Sequence, residues 1–223
     1  MKSRIKAIVF DLDDTLYSED TFRKSGFKYI AEKLNKIGIP ITKEEIYGLS
    51  EKYPRDLFNK LILFYKLPYE ESVLIDWYRY HKPRISVYSG VKMILTELKK
   101  KYRLGLLTDY FSESQKNKLR ALGIEKYFDK IIYTEIICAK KPSVKGFELL
   151  KKNFACDDNE IVYVGDNEVK DFLGANKSGY VTIKFNNDDG FHSKMLMSDK
   201  IYKARFEITR LSEIFMVLEK LII

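Results

Sequence analysis

Residues of types that act on charged substrates follow short apolar runs at four points of the chain. They are Asp11 with Asp13, Thr108 with Asp109, Lys141, and Asp166 with Asp171 five residues beyond it. If the apolar runs are parallel strands, their carboxyl ends meet at one edge of a sheet, where open α/β sheets bind ligands. The sequence therefore predicts a single site built from these side chains.

A group of carboxylates at one edge of a sheet predicts a bound cation. Aspartates in such a place repel each other and are costly to bury unless a cation lies among them. Mg²⁺ fits, because it takes oxygen ligands and is held by one or two carboxylates together with a substrate phosphate. Lys141 and Thr108 would offer an ammonium and a hydroxyl to the oxygens of a transferring phosphoryl group.

The elements that must position these residues are strands that alternate with helices. Apolar runs predict strands at residues 5–10, 103–107, 130–133, 161–164 and 180–185. Single helices between strands imply right-handed crossovers, and therefore a mostly parallel sheet covered on both faces. We predict an α/β fold, a Rossmann-like three-layer sandwich around a central parallel sheet, with a helical cap domain added to it.

The cap is predicted from a stretch that interrupts the alternation. Residues 17–88 contain no convincing strand, whereas Phe27, Ile30, Leu34 and Ile37 keep helical spacing. Prolines and a glycine divide this stretch into short helices. We predict a helical cap domain at residues 17–88, inserted into a catalytic core formed by residues 1–16 and 89–223.

The motifs of the core resemble those of the haloacid dehalogenase superfamily. Residues 9–16, Val-Phe-Asp-Leu-Asp-Asp-Thr-Leu, resemble its first signature, Asp-x-Asp-x-Thr. Thr108 ends a strand as in the second signature, Lys141 precedes a proline as in the third, and residues 165–171 resemble the fourth, Gly-Asp-x-x-x-x-Asp. The four occur in the family's order over nearly the whole chain. The insertion resembles the capped branch, which acts on small molecules.

The resemblance implies roles for the two aspartates of the first motif. Asp11 would be the nucleophile that forms an aspartyl-phosphate, and it would also bind Mg²⁺. Asp13 would protonate the leaving oxygen and then deprotonate the attacking water. The backbone carbonyl of Asp13 would touch the metal.

The resemblance also assigns the remaining motif residues. Thr108, Asp109 and Lys141 would bind the phosphate, with Asp109 standing where many relatives carry asparagine. Asp166 would be a metal ligand. Asp171 would bind the metal directly or orient its ligands.

Composition and charge limit the kinds of partner. The 223 residues include 40 Lys or Arg and 32 Asp or Glu, a net charge of +8. The lysines are spread over amphipathic helices, so we expect a small anionic substrate and no nucleic acid. We expect neither a membrane span nor a secretory signal, which favours the cytoplasm. Two isolated cysteines do not make a disulfide framework.

The favoured interpretation is a Mg²⁺-dependent phosphatase that hydrolyses a small phosphorylated metabolite, as a monomer or small homo-oligomer. One alternative is a phosphosugar mutase on the same scaffold, which would protect its aspartyl-phosphate from water. Another is a phospho-acceptor signalling domain, although such a domain has about half this length and no helical cap. The substrate stays open, because no motif assigns a role to the cap residues Arg23, Arg55, Trp77 and Arg79.

Overall fold

The chain divides into two compact units. The computed structural model describes residues 5–187, 190 and 199–221. One unit holds Met1–Glu19 with Ser86–Ile223, and the other holds Asp20–Ile85. Each unit has a hydrophobic core of its own.

Among the described residues, the larger unit is built on a six-stranded parallel sheet. Its strands are β1 (Ala7–Phe10), β2 (Arg103–Thr108), β3 (Lys130–Tyr133), β4 (Ile161–Gly165), β5 (Val181–Phe185) and β6 (Phe206–Ile208). They lie in the order β3-β2-β1-β4-β5-β6, and every neighbouring pair is parallel. The predicted α/β fold with its parallel sheet is confirmed. The sequence did not predict β6, because this short edge strand buries only Ile208 and shows no apolar run.

Helices connect these strands and also form the smaller unit. In chain order they are α1 (Glu19–Asn35), α2 (Lys43–Lys52), α3 (Leu57–Tyr65), α4 (Glu71–Tyr80), α5 (Val91–Lys99), α6 (Ser112–Leu122), α7 (Lys145–Phe154), α8 (Leu173–Lys177) and α9 (Ile214–Lys220). A π-helical turn at Glu168–Phe172 precedes α8 directly. In the part of the chain that is described, no helix has the length and apolar character needed to cross a membrane.

The register of the central strands decides which strand ends meet. All four residues of β1 and all five of β4 are buried, as expected for strands covered on both faces. Phe10 pairs with Leu106 of β2 on one side and with Val164 of β4 on the other. The backbone N–H of Asp11 donates to the Val164 carbonyl at 2.9 Å. The carboxyl ends of β2, β1 and β4 therefore lie side by side.

The smaller unit is a helical bundle held by its own apolar residues. Its buried core includes Phe27, Ile30, Leu34, Ile46, Leu61 and Leu74. Ile37, which the spacing placed on the same helical face, lies beyond the end of α1 and is 46% exposed. Trp77 packs against this core, and Arg23 donates to Ser50 and Glu51 of α2. Both side chains therefore stabilise the unit to which they belong.

Candidate active site

Most of the residues singled out in the sequence line one cavity at the carboxyl edge of the sheet. Asp11 follows the end of β1, Asp166 follows β4, and Lys141 lies in the loop after β3. The cavity is lined by Asp11, Asp13, Asp109, Lys141, Asp166 and Asp171, together with Asp14, Glu19, Tyr110, Asn167 and Lys170. The strand order therefore brings together residues that are far apart in the sequence.

Lys141 brings a positive charge to the aspartates of this cavity. Its Nζ donates to Asp11 Oδ1 at 2.5 Å and to Asp171 Oδ1 at 2.7 Å. It also lies 3.2 Å from the hydroxyl of Tyr163, which donates to Asp171 Oδ1 at 2.9 Å. The side chain of Lys141 is only 3% exposed. A buried ammonium with these partners keeps its proton, because burial lowers its pKa less than the two aspartates raise it.

Three aspartates form an acidic cluster that could hold a metal ion. Asp11, Asp166 and Asp171 each offer a carboxylate oxygen, and these oxygens lie within 4.8 Å of one another. Asp166 Oδ1 accepts from the Thr15 hydroxyl at 3.3 Å. Asp166 Oδ2 is buried and has no hydrogen-bond partner among the described residues. A buried, unpartnered carboxylate oxygen is costly, and a divalent cation with oxygen ligands would satisfy it.

The electrostatics of the cluster point to the same need for positive charge. Burial raises the pKa of Asp11 to about 8; Lys141 opposes this rise, and Asp171 adds to it. Burial, with Asp171 and Asp11 close by, raises the pKa of Asp166 well above its ordinary value. One lysine therefore does not balance these carboxylates, which is the situation that a bound divalent cation corrects.

Asp13 has different surroundings from Asp11, although only one residue separates them. Its Oδ1 accepts from Lys118 Nζ at 2.7 Å and from the Tyr17 hydroxyl, and its Oδ2 accepts from Gln115 Nε2 at 2.8 Å. Burial alone would raise the pKa of Asp13, but the Lys118 ammonium and the three hydrogen bonds lower it below its ordinary value. Its side chain is separate from the acidic cluster and is held by donors.

Thr108 and Asp109 have different neighbours. The Thr108 hydroxyl is fully buried and lies 2.5 Å from Gln115 Nε2, the atom that also binds Asp13. Asp109 Oδ1 accepts from the Thr134 hydroxyl at 2.9 Å and from the backbone N–H of Lys141 at 3.1 Å. Asp109 therefore ties the loop that carries Lys141 to the end of β2.

The turn after β4 is shaped around Asp171. The backbone N–H of Asn167 donates to Asp171 Oδ2 at 2.9 Å, and the Asn167 side chain accepts from Val169 N–H and Lys170 N–H at the start of the π-helical turn. A Cβ at Gly165 would overlap the Asp171 carboxylate. Glycine at the end of β4 therefore leaves the space that Asp171 fills.

Several residues of the site were not predicted from the sequence. Gln115 and Lys118 lie one turn apart on α6 and are buried, with Lys118 3% exposed. Tyr17, Tyr163, Glu19 and Lys170 were also missed. The available signal was on α6, where polar residues occupy positions next to Leu119 and Leu122 on the buried face. Polar residues on the core face of a helix indicate a buried polar partner.

Known proteins resemble this chain over most of its length. Residues 8–185 match the family described as haloacid dehalogenase-like hydrolase. A glyceraldehyde 3-phosphate phosphatase of Methanothermobacter thermautotrophicus is 30% identical over 82% of this chain and 87% of its own length. A protein of the same name from Methanocaldococcus jannaschii is 30% identical over 81% of this chain and 84% of its own.

Solved structures show the same fold. The HAD-hydrolase YfnB from Bacillus subtilis, solved bound to magnesium, has a TM-score of 0.76 and 19% identity, covering 96% of this chain and 99% of that one. The chain belongs to the haloacid dehalogenase-like hydrolase family. Within that family it is a phosphatase that acts on a phosphorylated metabolite.

Proposed function

We propose that the chain hydrolyses its phosphate ester with Mg²⁺ as cofactor and through an aspartyl-phosphate formed on Asp11. The observation that carries the proposal is the contrast between two neighbouring aspartates. Asp11 lies in the acidic cluster and contacts Lys141, whereas Asp13 is held outside that cluster by Lys118, Tyr17 and Gln115. This contrast supports a nucleophilic role for Asp11 and a proton-transfer role for Asp13.

The residues that would hold the cofactor are those of the acidic cluster. Asp11 and Asp166 would be side-chain ligands, Asp171 would bind the metal or orient its ligands, and Asp13 would contribute its backbone carbonyl. Bound Mg²⁺ would supply positive charge to the carboxylates and to the phosphoryl oxygens. The unpartnered Oδ2 of Asp166 supports this assignment.

The protein's own groups would carry two displacement steps. A carboxylate oxygen of Asp11 attacks phosphorus, the bond to the ester oxygen breaks, and that oxygen takes a proton from Asp13. Water then attacks the phosphorus of the aspartyl-phosphate and gives its proton to Asp13. The bond between phosphorus and the Asp11 oxygen breaks, so phosphate is released and Asp11 is restored. Lys141 and Thr108 bind phosphoryl oxygens, and Asp109 acts by holding the loop of Lys141.

The surroundings of Asp13 suit the second step without further change. A carboxylate with a lowered pKa is ionised and can accept a proton from water. For the first step Asp13 must carry a proton, and the negative charge of an incoming phosphate favours that form. Lys118 therefore balances the two roles, because it contacts Asp13 and bears a positive charge that the phosphate partly cancels.

We propose a triose phosphate as the substrate, following the relatives at 30% identity that are named glyceraldehyde 3-phosphate phosphatase. We also propose that residues 17–88 act as a cap domain, and that the enzyme works in the cytoplasm as a monomer or small homo-oligomer.

The test is phosphate release from glyceraldehyde 3-phosphate by the purified chain with Mg²⁺, with and without excess chelator. Acid quenching during turnover should trap a phosphoenzyme in the parent and none in Asp11→Asn. Full activity in excess chelator, or a phosphoenzyme in Asp11→Asn, would contradict the proposal.

A further inference from the structure

The cavity that holds Asp11 and Asp13 has a second group of polar residues on its lining. Glu19, Tyr110 and Lys170 border it but belong neither to the acidic cluster nor to the hydrogen bonds of Lys141. The phosphoryl chemistry described above does not use them. Polar side chains that face a catalytic cavity without a role in the reaction are candidates for recognising the rest of the substrate.

Tyr110 and Lys170 are held to each other. The Lys170 ammonium lies 3.3 Å from the Tyr110 hydroxyl and 5.0 Å from the centre of its ring. Lys118 Nζ, which binds Asp13, lies 5.9 Å from the same ring. Tyr110 has a φ of +72°, a left-handed conformation that is strained for a large side chain. Two ammonium groups therefore lie near the ring of Tyr110, a residue with a strained backbone conformation.

Glu19 supplies the opposite charge on the same side. Its backbone N–H donates to Asp14 Oδ1 at 2.8 Å, and its carboxylate has no hydrogen-bond partner among the described residues. Burial raises the pKa of Glu19 to about 7; Asp13 adds to this rise, while Lys118 and Lys170 oppose it. Glu19 lines the same cavity as Asp13 and Lys170.

The position of these groups identifies what they would contact. Asp13 is the residue that would protonate the leaving oxygen, so the carbon chain of the leaving group lies on the Asp13 side of the cavity. An apolar leaving group there would remove water from Glu19 and Lys170 and give nothing in return. A hydroxyl next to the ester carbon can donate to the Glu19 carboxylate and accept from the Lys170 ammonium.

We infer that Glu19 and Lys170, with Tyr110 holding Lys170, recognise a hydroxyl on the carbon next to the phosphoester carbon of the substrate. The inference rests on the proposed function and extends it, because it assigns leaving-group specificity to three residues of the catalytic unit. It defines the substrate class as small phosphate esters with a vicinal hydroxyl.

The test uses two esters that differ only in that hydroxyl, 2-hydroxypropyl phosphate and n-propyl phosphate. We expect the parent to prefer the hydroxylated ester by ~10-fold to 100-fold in kcat/KM, since a lost hydrogen bond leaves charged groups unpaired. In Glu19→Gln and Lys170→Met this preference should fall about tenfold, through slower turnover of the hydroxylated ester. Activity on n-propyl phosphate should stay within about threefold of the parent.

Matched variants and a separate readout keep the outcomes distinct. Glu125→Gln and Lys177→Met, at exposed positions of the same unit, should leave the preference unchanged. Lys170→Arg should retain more of the preference than Lys170→Met, because the positive charge is kept. Equal losses on both esters, or a parent that treats them alike, would overturn the inference. If the parent releases phosphate from glyceraldehyde 3-phosphate but from neither propyl ester, this inference is overturned and the proposed function stands. If it releases phosphate from none of the three with Mg²⁺, the proposed function is overturned as well.

Discussion

Lys118 Nζ lies 2.7 Å from Asp13 Oδ1, and both side chains are almost fully buried, at 4% and 11% exposure. The lysine comes from α6, so a helix far along the chain fixes the orientation of the residue that would carry the proton. Buried ion pairs are sensitive to the loss of one partner, because the remaining charge is left unpaired. The pair therefore links the placement of α6 to the chemistry at the end of β1.

Replacing Lys118 by methionine should slow turnover on the order of tenfold while the fold is kept. Asp13 would keep its bonds to Tyr17 and Gln115 but lose the charge that lowers its pKa. Steady-state kinetics with circular dichroism as a folding check would measure this. Lys116→Met is the matched control, since Lys116 lies on the same helix and its ammonium pairs with Glu113. Equal changes in turnover for the two substitutions would show that Lys118 has no specific role in the chemistry of Asp13.

Replacing Asp11 by asparagine should abolish turnover, by about 10³-fold or more, because the amide is a far poorer nucleophile than a carboxylate. The variant should fold, since the amide still fits beside Lys141. Single-turnover assays and thermal melting would report the two effects separately. Residual hydrolysis within about tenfold of the parent would show that another residue attacks phosphorus.

Replacing Asp13 by asparagine should affect alkyl esters more than aryl esters. A leaving alkoxide needs a proton, so the rate with an alkyl phosphate should fall on the order of 10²-fold to 10⁴-fold. A nitrophenolate leaves without one, so p-nitrophenyl phosphate should give a burst of nitrophenol followed by slow turnover. Rapid-quench kinetics on both esters is the measurement. Equal losses of rate with the two esters, and no trapped phosphoenzyme, would show that Asp13 has a structural role and does not transfer the proton.

The residues of the acidic cluster should determine how the enzyme binds and uses Mg²⁺. Activity should require Mg²⁺ and be inhibited by Ca²⁺, whose larger and looser coordination sphere would misplace Asp11. Asp166→Asn should weaken Mg²⁺ binding, because it removes a charged ligand from the cluster. Titration calorimetry with Mg²⁺ alone measures this without reference to turnover. Unchanged Mg²⁺ affinity in Asp166→Asn would place the metal elsewhere.

The free energy of unfolding of the metal-free protein should fall as the pH rises between the pKa of Asp11 in the unfolded chain and its pKa in the folded chain. Its pKa is 3.8 ordinarily and about 8 in the folded chain. Between these values the unfolded state releases a proton that the folded state keeps, so its contribution to stability is full below pH 3.8 and is lost towards pH 8. Urea unfolding at pH 5 and pH 8 should show this loss, and Asp11→Asn should reduce it. A parent that is equally stable at both values would contradict the raised pKa.

The sequence predicted the strand ends well because each central strand is a short apolar run followed at once by polar residues. β1 and β4 are buried on both faces, so their pattern is clear and their carboxyl ends locate Asp11 and Asp166. Parallel order then implies that these residues meet. Asp11 follows the first strand of the chain, whereas a phospho-acceptor signalling domain carries its acceptor after the third, and the family match excludes that alternative.

The sequence did not predict the partners that the site takes from helices. Gln115 and Lys118 are polar residues of a helix, and their types alone are typical of a solvent-exposed face. Their positions beside Leu119 and Leu122 are a weak signal of burial, and the packing of α6 on the site shows that they are buried and face Asp13. Lys170 and Glu19 were missed for a similar reason, since a short turn and a helix start give no periodic pattern that places a side chain.

The glycine at the end of β4 constrains how this sequence can change. A methyl group at position 165 would occupy the space of the Asp171 carboxylate, and that carboxylate is fixed by Lys141, Tyr163 and Asn167. Alanine at 165 is therefore compatible only with a smaller residue at 171. That change would remove one carboxylate from the acidic cluster. In a library randomised at both positions, selection for folding alone should recover alanine at 165 only together with a shortened residue at 171, while selection for activity should return the original pair.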